Sequence, residues 1–349
     1  MGDRLFKKYC NRCCLPLFFR RNRVIMIDFL LLVLGLFMLL GGGDLMVRGA
    51  SALAKNLGIS SLIIGLTVVA FGTSAPELAV NTAAALKGSS EISFGNIIGS
   101  NIANIGLIIG CAALMRPLNV QGVVIAREIP MMILAACAAV IMGSDMAIRT
   151  SPDMYDMTDA LILLLFFVVF LYYTISEVLH KRAADTFVTQ SVGLRSYEKR
   201  RQVWINLFLT GAGLALLIYG GKIVVSTSIN IARALHVSEA MIGLVMVAIG
   251  TSLPELVTSV IATFKGQSDL AIGNVVGSNI FNLLFIMGVT AIINPVAVPE
   301  GGFPDLIMMT VFSVILLPFA VSGSKCISRK EGAALLLLYC GYMFWRTLY

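Results

Sequence analysis

The sequence predicts an all-α multi-pass membrane protein, with ten transmembrane helices arranged as two inverted five-helix repeats. Three observations carry this. Hydrophobic residues make up 58% of the 349 and charged residues 13%, where a soluble domain carries roughly a quarter charged. Ten mainly apolar runs, centred near residues 33, 70, 104, 133, 167, 214, 250, 282, 312 and 340, are long enough to cross the hydrocarbon as helices. The short alternating segments of a transmembrane barrel are not seen. Finally, Gly72-Thr73-Ser74-Ala75-Pro76-Glu77-Leu78 recurs as Gly250-Thr251-Ser252-Leu253-Pro254-Glu255-Leu256. The same offset of 178 residues carries Gly95-Asn96-Ile97-Ile98-Gly99-Ser100-Asn101 onto Gly273-Asn274-Val275-Val276-Gly277-Ser278-Asn279. Five spans per repeat is an odd number, so the second repeat enters the membrane upside down relative to the first.

In chain order, residues 1–23 form a basic, irregular N-terminal tail. A basic stretch ahead of an apolar one resembles a signal peptide, but the apolar run is long and lacks a small-residue cleavage pattern, so the first span is read as retained. The tail is either a membrane-surface anchor or an extension upstream of a start at Met26. The first repeat covers 24–178; its first span ends at Gly41-Gly42-Gly43-Asp44, matched by Gly220-Gly221-Lys222 in the second. Lys87-Gly88 separates spans two and three, and Lys265-Gly266 separates spans seven and eight. A basic joint at 179–202 holds Lys181, Arg182, Arg195, Lys199, Arg200 and Arg201, and the second repeat covers 203–349. With the joint cytoplasmic, Arg48, Lys55, Arg116, Lys265, Lys325, Arg329 and Lys330 fall on its side, a positive-inside bias that only the tail contradicts. The net charge of +7 is therefore topology rather than nucleic-acid binding. Cys111, Cys137, Cys326 and Cys340 are packing residues in or beside spans; Cys10, Cys13 and Cys14 lack the second ligand pair of a zinc site.

The repeated motif puts a carboxylate and a proline inside an apolar run. Proline has no N–H for the carbonyl four residues earlier, so Pro76 and Pro254 free the carbonyls of Gly72 and Gly250. At mid-membrane depth such groups need a protein, water or cation partner. Helical spacing aligns Thr73 and Ser74 with Glu77, and Thr251 and Ser252 with Glu255. In the next spans Ser100 and Asn104, and Ser278 and Asn282, stand four apart. Every one of these side chains offers oxygen, which favours a hard cation over zinc or copper. A divalent ion would cancel two carboxylates that are costly in the bilayer and repel one another.

Bland readings stand beside this one. Gly95 with Gly99, and Gly273 with Gly277, fit helix packing. Thr73, Thr251, Ser100 and Ser278 could bond back to their own helices. His180 and His236 are interfacial, and Asp44, Asp145, Asp159 and Glu128 are solvated span-end residues. No nucleophile, base and orienting group converge, so an enzyme is not expected.

The paired Gly-Thr-Ser-x-Pro-Glu-Leu and Gly-Asn-x-x-Gly-Ser-Asn elements resemble the alpha repeats of the cation/calcium exchanger superfamily, with compact prokaryotic sodium/calcium exchangers as the nearest likeness. The resemblance covers residues 24–349 and leaves no room at 179–202 for a large regulatory calcium-binding domain. It implies alternating access with Ca²⁺ and Na⁺ competing for one cluster, and the first and sixth spans sliding as a gate. By position, Glu77 and Glu255 would bind Ca²⁺ and share Na⁺. Thr73, Ser74, Thr251, Ser252, Ser100 and Ser278 would supply Na⁺ ligands, Asn104 would line the centre, and the carbonyls of Ala70 and Ala248 would contribute. Asparagine at Asn282, where potassium-coupled members carry aspartate, implies no potassium requirement. The glutamate that proton-coupled members carry shortly after Gly-Asn is absent, so a proton/calcium antiporter is the alternative and a cation channel a weaker one. The implied protein needs no cofactor and no obligate protein partner. Its implied location is the plasma membrane of a prokaryote.

Overall fold

A computed structural model describes residues 3–149, 152–186, 196–235, 250–322 and 325–348, with side chains from residue 26 onward except at 148–149, 177–186 and 196–199. Cys10, Cys13 and Cys14, which lack the second ligand pair of a zinc site, and His180 and His236 therefore lie outside the described side chains.

Among the described residues seven helices are long and apolar enough to cross a membrane, and an eighth candidate span is a bent pair. In chain order the helices are α1 (Asp3–Leu57), α2 (Ser61–Thr73), α3 (Ala75–Leu86), α4 (Ser90–Met115), α5 (Val124–Met142), α6 (Asp145–Arg149) and α7 (Met157–Thr186). The second half supplies α8 (Ser196–Ala234), α9 (Leu253–Phe264), α10 (Ser268–Ile293), α11 (Gly302–Val321) and α12 (Arg329–Leu348). The run expected near residue 250 crosses 236–249, outside the described residues. The run near 340 is the 20-residue α12, which does not reach the same apolar standard.

Several sequence expectations change here. The tail is not irregular: α1 runs unbroken from Asp3, because Arg, Lys, Leu and Phe all tolerate helix. Nor does the first span end at Gly41–Asp44. Helix α1 continues to Leu57 and stops where Gly58 turns left-handed (φ 69°), with Ile59 N–H reaching the Ala54 carbonyl at 3.0 Å, a glycine-terminated cap. Gly88 and Gly266 end α3 and α9 the same way, at φ 71° and 76°. Helices α7 and α8 also extend into the joint, to Thr186 and from Ser196.

The glycines of α1 serve packing instead. A Cβ on Gly42 would stand 2.8 Å from the Gly213 carbonyl, one on Gly220 3.0 Å from that of Gly35, and one on Gly49 3.0 Å from that of Asn206. The contact steps by seven residues on both helices in opposite directions, so α1 and α8, which are equivalent under the 178-residue offset, pack antiparallel with their backbones touching. Small residues allow this approach where lipid provides no hydrophobic drive. Similarly, Gly273 and Gly277 of α10 close on the carbonyls of Leu62 and Leu66 in α2, each at 2.8 Å; the equivalent neighbours of Gly95 and Gly99 lie within 236–249.

The halves are also laced by strands that the sequence did not suggest. Strand β1 (Leu118–Asn119) pairs antiparallel with β4 (Cys326–Ile327), and β2 (Met154–Tyr155) with β3 (Val296–Ala297). Each two-residue ladder joins one half to the other, so each half supplies a strand to both. Three acidic residues expected in solvent are buried: Glu128 at 0%, Asp159 at 5% and Asp145 at 8% exposure. Glu128 takes Arg127 at 2.7 Å and the Tyr173 hydroxyl at 3.2 Å, and Asp159 accepts the Asp156 N–H; partners, not water, satisfy them. Asp44 alone keeps appreciable exposure, and it too is paired.

Gly42→Ala is expected to lower the melting temperature in detergent, since a Cβ against a backbone carbonyl costs about 1–3 kcal/mol. Gly41→Ala, whose Cβ would meet nothing within 4 Å, should leave it unchanged or slightly raised. Equal losses in the two variants would remove the glycine seam as the cause.

Candidate cation site

The motif folds as a broken helix. Helix α2 ends at Thr73, the chain bends by 42° at Ser74 (φ −81°, ψ 3°), and α3 begins at Ala75. Pro76 lies in the first turn of α3, where a missing N–H leaves no bond unmade. In the copy Ser252 has the same backbone (φ −85°, ψ 7°), and Pro254 lies in the first turn of α9. Helices α4 and α10, which carry the second element, each loosen into a wide turn of π-helical bonding, at Asn104–Ile109 and Phe281–Ile286. Such turns recur at functional sites because they re-aim side chains and relax the backbone ladder.

The two carboxylates are held across the repeat interface. The Ser74 hydroxyl donates to Glu255 Oε1 at 3.1 Å, and the Ser252 hydroxyl donates to Glu77 Oε1 at 3.2 Å. Thr251 stands beside Glu77 and Ser278 beside Glu255, and the two carboxylates are near enough to repel one another. The Thr73 hydroxyl donates to Asn274 Oδ1 at 3.0 Å, and Asn274 in turn donates to Ser259 Oγ at 2.9 Å. Asn104 donates to Asn279 Oδ1 at 2.9 Å, while Ser100 donates to Asn96 Oδ1 at 3.3 Å.

Thr73, Ser74, Glu77, Ser100, Asn104, Ser252, Glu255, Ser278 and Asn282 are all buried, none more than 3% exposed. Thr251 is half-buried. Ala70 is buried, and its carbonyl accepts the Ser74 N–H at 3.0 Å and the Thr73 hydroxyl at 3.3 Å. Ala248 lies outside the described residues. Helix back-bonding accounts for part of Thr73, and Ser100 bonds a side chain; among the described residues the hydroxyls of Thr251 and Ser278 have no hydrogen-bond partner, and the carbonyl behind Thr251 at Ala248 lies outside them.

Nine buried side-chain polar atoms have no partner among the described residues: Glu77 Oε2, Glu255 Oε2, Thr251 Oγ1, Ser278 Oγ, the Oδ1 atoms of Asn81, Asn101, Asn104 and Asn282, and Asn96 Nδ2. Buried polar groups are nearly always satisfied, and eight of these nine are oxygens. Two acids ringed by neutral oxygens, with no cluster of three or more His, Cys, Asp or Glu among the described residues, offer the donor set of a hard cation such as Ca²⁺ or Na⁺.

Sequence reasoning missed the asparagines that orient this set. Asn96, Asn101, Asn274 and Asn279 stood in the repeated Gly-Asn-x-x-Gly-Ser-Asn element, and Asn81 stands one turn beyond Glu77, donating to its carbonyl at 2.7 Å. Their spacing from the hydroxyls was the available signal.

Against known proteins, the model of the family described as sodium/calcium exchanger protein matches residues 27–176 and 205–348. The sodium/calcium exchanger MaX1 of Methanosarcina acetivorans is 33% identical over 345 residues, covering 92% of this chain and 98% of that one. The inner membrane protein YrbG of Escherichia coli is 34% identical over 323 residues, covering 91% and 95%. Among solved structures, the sodium-calcium exchanger NCX_Mj soaked with 10 mM Na⁺ and zero Ca²⁺ superposes with a TM-score of 0.78 at 28% identity, over 91% of this chain and 98% of that one. With its duplicated motif, its membrane helices and its crossed carboxylates, the chain belongs to the sodium/calcium exchanger family of the cation/calcium exchanger superfamily, a group of multi-pass membrane antiporters.

Proposed function

We propose that this protein exchanges Ca²⁺ for Na⁺ across a prokaryotic plasma membrane by alternating access, without a potassium requirement. The observation that carries the proposal is the reciprocal serine–carboxylate crossing, with free oxygens on both acids and on the residues around them. Glu77 and Glu255 bind Ca²⁺ and share Na⁺; Thr73, Ser74, Thr251, Ser252, Ser100 and Ser278 supply further Na⁺ ligands. Asn104 and Asn282 line the centre, and the carbonyls of Ala70 and Ala248 complete the set. For Ala70 this requires the carbonyl to give up the Thr73 hydroxyl when an ion arrives. The similarity to MaX1 and NCX_Mj, both named as sodium–calcium exchangers, supports Na⁺ as the coupling ion.

In this reading the chain comprises an N-terminal stretch at 1–23, repeats at 24–178 and 203–349, and a cytoplasmic joint at 179–202. Ten spans form two inverted repeats, supported by the antiparallel run of the equivalent helices α1 and α8. The basic groups fall together as the topology requires: Lys265 pairs with Asp44, Arg116 lies against Gly266, and Arg329 donates to the Met115 carbonyl. Calcium movement in sealed vesicles under separately imposed sodium and proton gradients tests the whole reading; uptake driven by protons alone would establish proton coupling instead.

Glu77→Gln and Glu255→Gln are each expected to abolish ⁴⁵Ca²⁺ uptake while the protein still inserts and folds, because the amide keeps the shape and removes the charge that binds the ion. Uptake near wild type in either variant would contradict the central assignment.

With Asn104 and Asn282 neutral, Glu77 and Glu255 give the occupied cluster a fixed charge of about −2, which one Ca²⁺ cancels. Coupling to more than two Na⁺ makes the sodium-loaded carrier positive, so flux should respond to membrane potential at about 2.3 kcal/mol per charge per 100 mV. Replacing K⁺ by choline should leave the rate unchanged in wild type, and Asn282→Asp should introduce sensitivity to potassium or pH. A wild-type rate that collapses without potassium would overturn the role given to Asn282.

Asn279 fixes which end of the Asn104 amide faces the cluster, taking its N–H and leaving Oδ1 free. Asn279→Leu should raise the KM for Ca²⁺ about tenfold, as loss of a partner behind a ligand typically does, with a smaller change in maximal rate. A fall in maximal rate at constant KM would mark it as structural only.

A further inference from the structure

We propose that Asp44 and Lys265 set the sidedness of exchange: their ion pair clasps the basic end of the transporter shut, and the opposite end has no equivalent among the described residues. The inference rests on the antiport reading above.

The clasp joins α1 to the turn between α9 and α10. Lys265 pairs with the Asp44 carboxylate and donates to its backbone carbonyl at 3.4 Å, Arg48 holds the same carboxylate at 2.7 Å, and Ser51 donates to the Gln267 side chain. Beneath it the helices are packed: a Cβ on Gly43 would lie 3.0 Å from Val257 Cγ1 and 2.7 Å from Ile261 Cδ1.

The 178-residue offset maps Asp44 onto Lys222 and Lys265 onto Lys87. Where one end of the molecule has opposite charges, the other has two lysines. Both are exposed, and neither forms an ion pair among the described residues; Lys222 instead lies over its neighbour Tyr219, 5.9 Å from the ring centre. The packing differs in the same sense. Val257 and Ile261 map onto Ala79 and Ala83, which are exposed, and a Cβ on Gly221 would meet only Leu39, at 4.0 Å. So α1 rests on α9 at the basic end, whereas α8 leaves α3 uncovered at the other.

An ion sees only the fraction of molecules open on its side, and its apparent dissociation constant rises by the inverse of that fraction. The clasp stabilises the state closed at the basic end, so KM should be higher there than at the Lys87 end. Opening it should lower KM at the basic face.

The test uses the full chain in inside-out and right-side-out vesicles, with the KM for Ca²⁺ measured at each face. Asp44→Asn should lower KM at the basic face about threefold, the scale of a partly exposed ion pair, and leave the other face nearly unchanged. Lys222→Asp, placing a carboxylate opposite Lys87, should raise KM at that face by a similar factor, and the swap Asp44→Lys with Lys265→Asp should restore the wild-type ratio. A merely structural pair would alter both faces alike, and an unchanged ratio in Asp44→Asn and Lys222→Asp would refute the proposal. A second readout needs no transport: with native cysteines replaced, Ala83→Cys should react with an impermeant maleimide faster than Ile261→Cys, and Asp44→Asn should narrow the difference. If the labelling shifts but sodium drives no calcium uptake, the antiport reading fails and the clasp stands; if uptake proceeds and labelling is unmoved, the clasp fails.

Discussion

Two carboxylates buried in a membrane protein at 1% exposure each impose the constraint on which the rest of the structure depends. Each takes one serine from the opposite repeat, and one hydroxyl is far short of the solvation an ionised carboxylate loses on leaving water. In the proposed function a cation between them resolves both the desolvation and their repulsion, which is why we read the pair as an ion site. The non-helical backbone at Ser74 and Ser252 serves the same need: each serine donates to the glutamate of the other repeat.

Bringing those motifs together requires helices to approach more closely than ordinary side chains allow. Gly273 and Gly277 let α10 touch the backbone of α2, and the seven-residue glycine seam lets α1 and α8 do so. The two ladders, β1 with β4 and β2 with β3, pair backbone outside the helices and fix one half to the other. Close packing at the centre and lacing at the ends hold the geometry, and the wide turns at Asn104 and Phe281 leave the adjoining helices with slack in their bonding.

Much of this was legible in the sequence because it was written twice. The repeat named Glu77, Glu255 and the serines beside them, and hydropathy marked the spans. What could not be read were relations without a local signature. Nothing in Gly41-Gly42-Gly43 distinguishes a helix end from a helix seam; only the antiparallel partner Gly213 decides it. Glu128 and Asp159 looked solvated because they lie near span ends, yet Tyr173, Arg127 and the Asp156 backbone bury them. The asparagines were overlooked because oxygen chemistry drew the argument to acids and hydroxyls, whereas an amide can hold another amide and free its oxygen, as Asn279 does for Asn104.

The duplication also sets up an asymmetry that the sequence alone would not suggest. Thr73 is bound by Asn274, while its copy Thr251 has no partner among the described residues; Asn104 is held by Asn279, while Asn101, the copy of Asn279, donates to its own helix at the Ile97 carbonyl and Asn282 Oδ1 has no partner among the described residues. Equivalent residues thus do different work in one conformation. Inverted repeats make this an expected property, because a carrier open to one side must have its two halves in different arrangements, and exchanging those arrangements opens the other side. Under the proposed alternating access, residues that remain chemically equivalent, such as Ser74 and Ser252, would trade roles as the halves exchange. Asp44 and Lys222 cannot, since their charges are opposite, and it is at such positions that a twofold-repeated chain acquires a direction.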